Sequence, residues 1–130
     1  MKDWPETYYA AIFTNQRSDS GDDIYAMMSE KMVSLASEQP GFLGLESVRD
    51  DSGLGITVSY WQSRQAIKAW GRHADHRIAQ EYGRNELYSW FQLRIAEVTS
   101  TRSFGMEDAF LDEQSVVNAT ASQKADKTSE

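Results

Sequence analysis

Three observations predict a single α+β domain of the split βαβ type. Strand-like and helix-like segments follow one another in the order β-α-β-β-α-β within the first 104 residues. Each helix-like segment carries one apolar stripe at helical period, which covers one side of a sheet. The strand-like segments carry large apolar residues on both faces, so the side away from the helices also needs a cover.

Tyr8–Thr14 is aromatic and β-branched and reads as the first strand, and the polar run from Asn15 to Asp23 reads as a loop. Asp22 or Asp23 can cap the first helix, whose stripe is Tyr25, Met28, Met32, Leu35 and Ala36. Gln39-Pro40-Gly41 stops it, because proline lacks a donor and glycine permits the turn. Phe42–Arg49 and Leu54–Trp61 read as strands two and three, joined by the tight turn Asp50-Asp51-Ser52-Gly53 and so antiparallel. Ser63 can cap the second helix, with Ile67, Trp70, Ala74 and Ile78 as its buried stripe and Gly83 as its end. Tyr88–Phe104 reads as a long fourth strand, in which Val98 falls out of phase with Phe91, Leu93 and Ile95. That phase change predicts a bulge near Ala96 or Glu97. The expected fold is therefore a ferredoxin-like βαββαβ split: a four-stranded antiparallel sheet with two helices on one face. An isologous dimer, sheet against sheet, would cover the other face.

The division that follows is an N-terminal extension over residues 1–7, the domain over 8–104 and an acidic tail over 105–130. Net charge is −7, of which the tail holds −4, leaving a nearly balanced domain. That balance argues against nucleic acid as the main partner, because phosphate binding needs clustered Lys and Arg. From Ser115 onward the tail is mostly small and polar and reads as disordered, whereas Met106, Phe110 and Leu111 before it suit packing on the domain or a partner subunit. There is no Cys, which excludes disulfides, thiolate metal sites and a Cys nucleophile. No apolar run approaches the ~20 residues of a membrane span, and Met1–Glu6 lacks the apolar core of a signal peptide. A cytoplasmic address is expected. No P-loop, dinucleotide fingerprint or nucleophile elbow occurs.

Several of these runs together resemble one family. Tyr8–Thr14, Gln39–Gly44 and Gly55–Trp61 are similar to the antibiotic biosynthesis monooxygenase (ABM) family. So are Ala66–Trp70 with His73, His76 and Gln80 after it, and Tyr88 leading into Arg94–Val98. The resemblance covers about residues 8–104. It implies a dimeric α+β barrel and a homodimer. It also implies one of two chemistries: oxidation of planar aromatic phenols by O2 without cofactor or metal, or binding and oxidative degradation of heme. A non-catalytic, stress-associated dimer that holds heme or a small aromatic is the alternative, as is a purely structural dimerisation domain.

The resemblance also nominates site residues. Trp70 matches the family's helix-two Trp, and it suits equally a core aromatic on its stripe. Asn15 is the nearest match to a strand-one Asn, and it also suits a plain loop-entry residue. In the heme-degrading branch an Asn, a Trp and an iron-ligating His act together, the His ten residues after the Trp. Gln80 stands at that position here and is a poor iron ligand. His73 and His76 are the remaining imidazoles, one to move a proton or meet iron, or both to be surface histidines. The expected catalytic set is thus Asn15, Trp70, His73 and His76, with Phe13, Tyr60, Trp61 and Gln80 against the ligand. The cofactor is none, or heme. His73, Asp75 and His76 are close enough in sequence to share a metal, but no third strong ligand stands in a recognisable motif. Glu46 is expected to face solvent or to pair with Arg94 across the sheet.

Overall fold

A computed structural model describes residues 4–18, 22–82, 87–105 and 116–120. The elements are β1 (Tyr8–Arg17), α1 (Asp22–Ser37), β2 (Phe42–Arg49), β3 (Leu54–Trp61), α2 (Arg64–Tyr82), β4 (Tyr88–Val98) and β5 (Val116–Thr120). The sheet runs β4-β1-β3-β2-β5. Each neighbouring pair among its first four strands is antiparallel, as the ferredoxin-like order requires, and β5 adds to β2 in parallel.

Pairing register sorts the strand residues onto two faces, since directly paired residues share a face. On the helix face, β1, β3 and β2 form rows: Tyr9–Trp61–Phe42, Ala11–Ser59–Leu45, Phe13–Thr57–Ser47 and Asn15–Gly55–Arg49. On β4 the same rows continue as Glu97, Ile95, Leu93 and Phe91. The first two rows pack with Ala36 of α1 and Ile67 of α2 into the main core, with Trp61 fully buried. A second cluster joins Met28 and Leu87, with Met32, Ile78 and Tyr88 against it. Burying each such large apolar side chain contributes roughly 1.5–3 kcal/mol.

Local chemistry fixes the joints. The Ser63 hydroxyl accepts from the Ala66 N–H at 3.0 Å and so caps α2. The Asp50 carboxylate accepts from the Ser52 hydroxyl at 2.7 Å and from the Ser52 and Leu54 N–H groups, which sets the β2–β3 turn. Those bonds, led by the Ser52 hydroxyl, hold its carboxyl below the usual carboxylate range. On the face away from the helices, Trp4 lies on Gly44 and against the rings of Tyr8 and Tyr60.

Several expectations need correction. β1 runs to Arg17, so Asn15 sits inside a strand rather than at a loop entry. β4 ends at Val98, and its register against β1 is unbroken through Ala96 and Glu97. The one irregularity falls between Gln16 and Arg17, opposite Ser89. Part of the tail read as disordered, Val116–Thr120, is β5. Glu46 and Arg94 lie on strands separated by two others, so they do not pair across the sheet. Glu46 instead accepts from the Tyr60 hydroxyl at 3.3 Å. The side chains of Asp22, Asp23, Tyr25 and Gln80, and Gly83, Met106, Phe110 and Leu111, lie outside the described residues.

Candidate functional site

The helices cover the sheet unevenly. Among the described residues, the main core ties them to β1, β2 and β3, and β4 beyond Tyr88 is left bare on the helix face. Phe91, Leu93 and Ile95 point to that face and are 58%, 55% and 44% exposed. Phe91 meets Phe13 and Tyr88, with ring centroids 5.5 and 6.2 Å away, and Phe13 meets Tyr88 at 5.3 Å. Three rings and two aliphatic side chains thus make an apolar shelf on β1 and β4. Contact between flat rings and such a surface is the ordinary way a protein holds a planar aromatic.

Asn15 is the polar group beside this shelf. It pairs with Phe91 on one side and Gly55 on the other, and its side chain is fully buried. Its Oδ1 accepts from Nη2 of Arg49 at 2.8 Å, while its Nδ2 reaches only the Phe13 carbonyl, at 3.5 Å. That second distance is at the limit of a hydrogen bond. An amide NH2 has two hydrogens, so one finds no acceptor among the described residues.

Helix α2 passes the same rows. Ile67 anchors it beside Ala11 and Trp61, and Ile78 anchors it beside Leu87 and Tyr88, the partner of Arg17. Trp70 and His73 lie on the span between these anchors. Trp70 stacks on the buried Trp61 at 6.2 Å and touches the His73 ring at 5.9 Å. His73 Nε2 is shut off from solvent and has no hydrogen-bond partner among the described residues. Buried polar atoms are nearly always paired, so this nitrogen stands out.

The nominated residues therefore divide. Asn15 and Phe13 share the helix face beside β4, and Trp70 and His73 adjoin each other on α2. Trp61 is a wall behind Trp70: it is 0% exposed, and its indole N–H donates to Ser59 at 2.8 Å. His76 is exposed one turn beyond His73. Tyr60 is on the opposite face of the sheet, against Trp4 and Tyr8, so it does not join Asn15 or Trp70. Gln80 lies on α2. Sequence reasoning passed over Arg49 and Phe91. The alternation of Phe91, Leu93 and Ile95 marked a strand face, but only the register shows that it is the helix face.

Comparison with known proteins bears on this arrangement. The model of the Antibiotic biosynthesis monooxygenase family matches residues 9–82, from β1 to the end of α2. The chain belongs to the ABM family. The uncharacterized protein YqjZ of Bacillus subtilis is 50% identical over 97 residues, covering 75% of this chain and 84% of that protein. The ABM jasmonate monooxygenase of Pyricularia oryzae is 27% identical over 97 residues, 72% of this chain but only 44% of that protein. Among solved structures, the heme-degrader MhuD from Mycobacterium tuberculosis, with two hemes in its active site, superposes with a TM-score of 0.57. It is 18% identical, and the match covers 73% of this chain and 99% of that one. A protein of unknown function from Nitrosomonas europaea gives a TM-score of 0.61 at 10% identity, over 77% and 97% of the two chains. At such identities the likeness is one of fold. No helix among the described residues is long and apolar enough to cross a membrane.

Proposed function

We propose that this ABM protein is a monooxygenase that oxidises a planar aromatic phenol with O2, the ring lying on the Phe13–Tyr88–Phe91 shelf. The observation that carries this reading is the fully buried Asn15 amide, with an unspent N–H, next to an exposed aromatic surface. A phenol reacts with O2 far more readily as its anion. Asn15 Nδ2–H donates to the phenolate oxygen and favours that form. Trp70 limits the tilt of the ring, and His73 takes the phenolic proton. For 1-naphthol the balance closes without another reductant. One oxygen atom replaces the hydrogen para to the hydroxyl and becomes a carbonyl, and the other leaves as water with the ring and phenolic hydrogens. The ring supplies all the electrons that O2 takes up, and the product is 1,4-naphthoquinone.

Oxygen uptake with 1-naphthol and 1-hydroxyanthracene tests this, with no added metal or reductant. Wild-type protein should consume O2, and Asn15→Ala should lose about tenfold or more in kcat, as for a missing anion-binding donor. Binding of both phenols without uptake would leave a binding protein and sink the enzyme.

One observation favours a second reading, in which the chain binds heme. His73 Nε2 is an unpartnered imidazole nitrogen, the donor type that iron takes. Bound heme would bring iron chemistry with O2, with His73 as its protein ligand in place of Gln80. A Soret shift on hemin titration that disappears in His73→Ala, with no uptake on the phenols, would favour it. The bare face of the sheet supports a homodimer in either reading. Val48, Leu54, Ile56 and Trp90 share that face and are each between 39% and 50% exposed.

A further inference from the structure

The Asn15 amide is held in one of its two orientations by a device built across three strands. Gly55 pairs with Asn15 on one side and Arg49 on the other. With no side chain at Gly55, the guanidinium lies directly over it: a Cβ there would come within 2.6 Å of Arg49 Cζ. From this position Arg49 Nη1 donates to the Gly53 carbonyl in the β2–β3 turn, and Nη2 donates to Asn15 Oδ1 at 2.8 Å. The planar fork spans both acceptors at once, which a single ammonium cannot do in the same geometry.

The consequence is directional. A guanidinium has only donors, so the amide must turn its oxygen toward Arg49, on the β3 side of β1. Oxygen and nitrogen diverge from the same carbon, so the NH2 points away from Arg49, and the group it reaches among the described residues is the carbonyl of Phe13, a ring of the shelf, at 3.5 Å. We propose that Arg49 is a positioning residue, set by Gly55, that aims the Asn15 NH2 at the shelf and selects a planar phenol bound as its anion. This rests on the function proposed above and names the device that orients its anion-binding group. The flipped amide would present its oxygen to the phenolate and repel it. The Arg49 bond also polarises the amide, which strengthens the opposite N–H as a donor.

The test uses 1-naphthol as the probe, because its neutral and anionic forms differ in absorbance. Bound 1-naphthol is titrated with pH on wild-type protein, Asn15→Ala, Arg49→Gln and Arg49→Lys, each checked for an unchanged circular dichroism spectrum. Wild-type protein should lower the phenol's apparent pKa below that of free 1-naphthol, and Asn15→Ala should abolish the shift. Both Arg49 variants should lose most of the shift, with kcat down about tenfold and KM little changed, the scale of a lost hydrogen bond to a charged group. Arg49→Lys separates orientation from charge, since it keeps the cation and gives up the fork. A wild-type shift in Arg49→Lys, with loss in Asn15→Ala, would overturn the positioning role and leave the proposed function standing. A wild-type shift in Asn15→Ala would overturn both.

Discussion

Tyr60 shows how a residue's face decides its chemistry. Its ring is wedged between Trp4 and Tyr8, and its hydroxyl donates to Glu46. Burial, with the nearby Glu46 charge, pushes the phenol up to about 12. The unfolded chain would release this proton near the ordinary value of 10. Between those values the folded state binds more protons, so its stability falls as pH rises through that window. Denaturant melts should show this fall between about pH 10 and 12, and Tyr60→Phe should flatten it. An equal slope in both proteins would place the Tyr60 hydroxyl in water. The sequence gives Tyr60 its strand and its neighbours in the chain, but not the face it occupies. One residue of register separates the two faces, and Asn15 and Tyr60 fall on opposite sides. Asn15 was legible only through the family resemblance, as the nearest match to a strand-one Asn. Its partner Arg49 was not, because 34 residues separate the two in the chain.

The joints between elements carry the next level of specificity. Gly41 turns the chain from α1 into β2 with φ of 88°, and a Cβ there would lie 2.7 Å from that of Ala66 on α2. Its carbonyl also accepts from the Gln62 N–H at 2.8 Å, so the turn, β3 and α2 meet at one point. Gly41→Ala should cost about 1–3 kcal/mol from strain and crowding, seen as a lower urea midpoint. A loss under half a kcal/mol would mean that α2 moves aside freely. Elements with local signals were legible to the residue: β2 and β3 have the expected bounds because a turn and strict alternation frame them. Elements completed by distant pairing were not. Asn15, Gln16 and Arg17 look like a loop, yet β3 and β4 hold them in a strand. Val116–Thr120 has too little apolar surface to fold alone and becomes β5 only along the edge of β2.

For the whole molecule, the two faces of the sheet have different tasks. The helix face holds the core and, along β4, the aromatic shelf with Asn15. The other face is sealed by Trp4 at one end and is bare from Val48 to Trp90 at the other. A second copy placed face to face would bury that patch on both chains, the isologous arrangement. Sedimentation should give a dimer, and Ile56→Glu should give a folded monomer, since it sets a charge in the middle of the patch. A dimer that survives Ile56→Glu unchanged would move the interface elsewhere, to the open edge of β4. In the proposed reaction, one atom of O2 enters a phenol held beside Asn15. Mass spectrometry of the product formed from 1-naphthol under isotopically labelled O2 tests it most directly. The expected product is 1,4-naphthoquinone carrying one labelled oxygen, formed by wild-type protein and lost in Asn15→Ala. Quinone with no label, or label incorporated equally by Asn15→Ala, would exclude this reaction at Asn15.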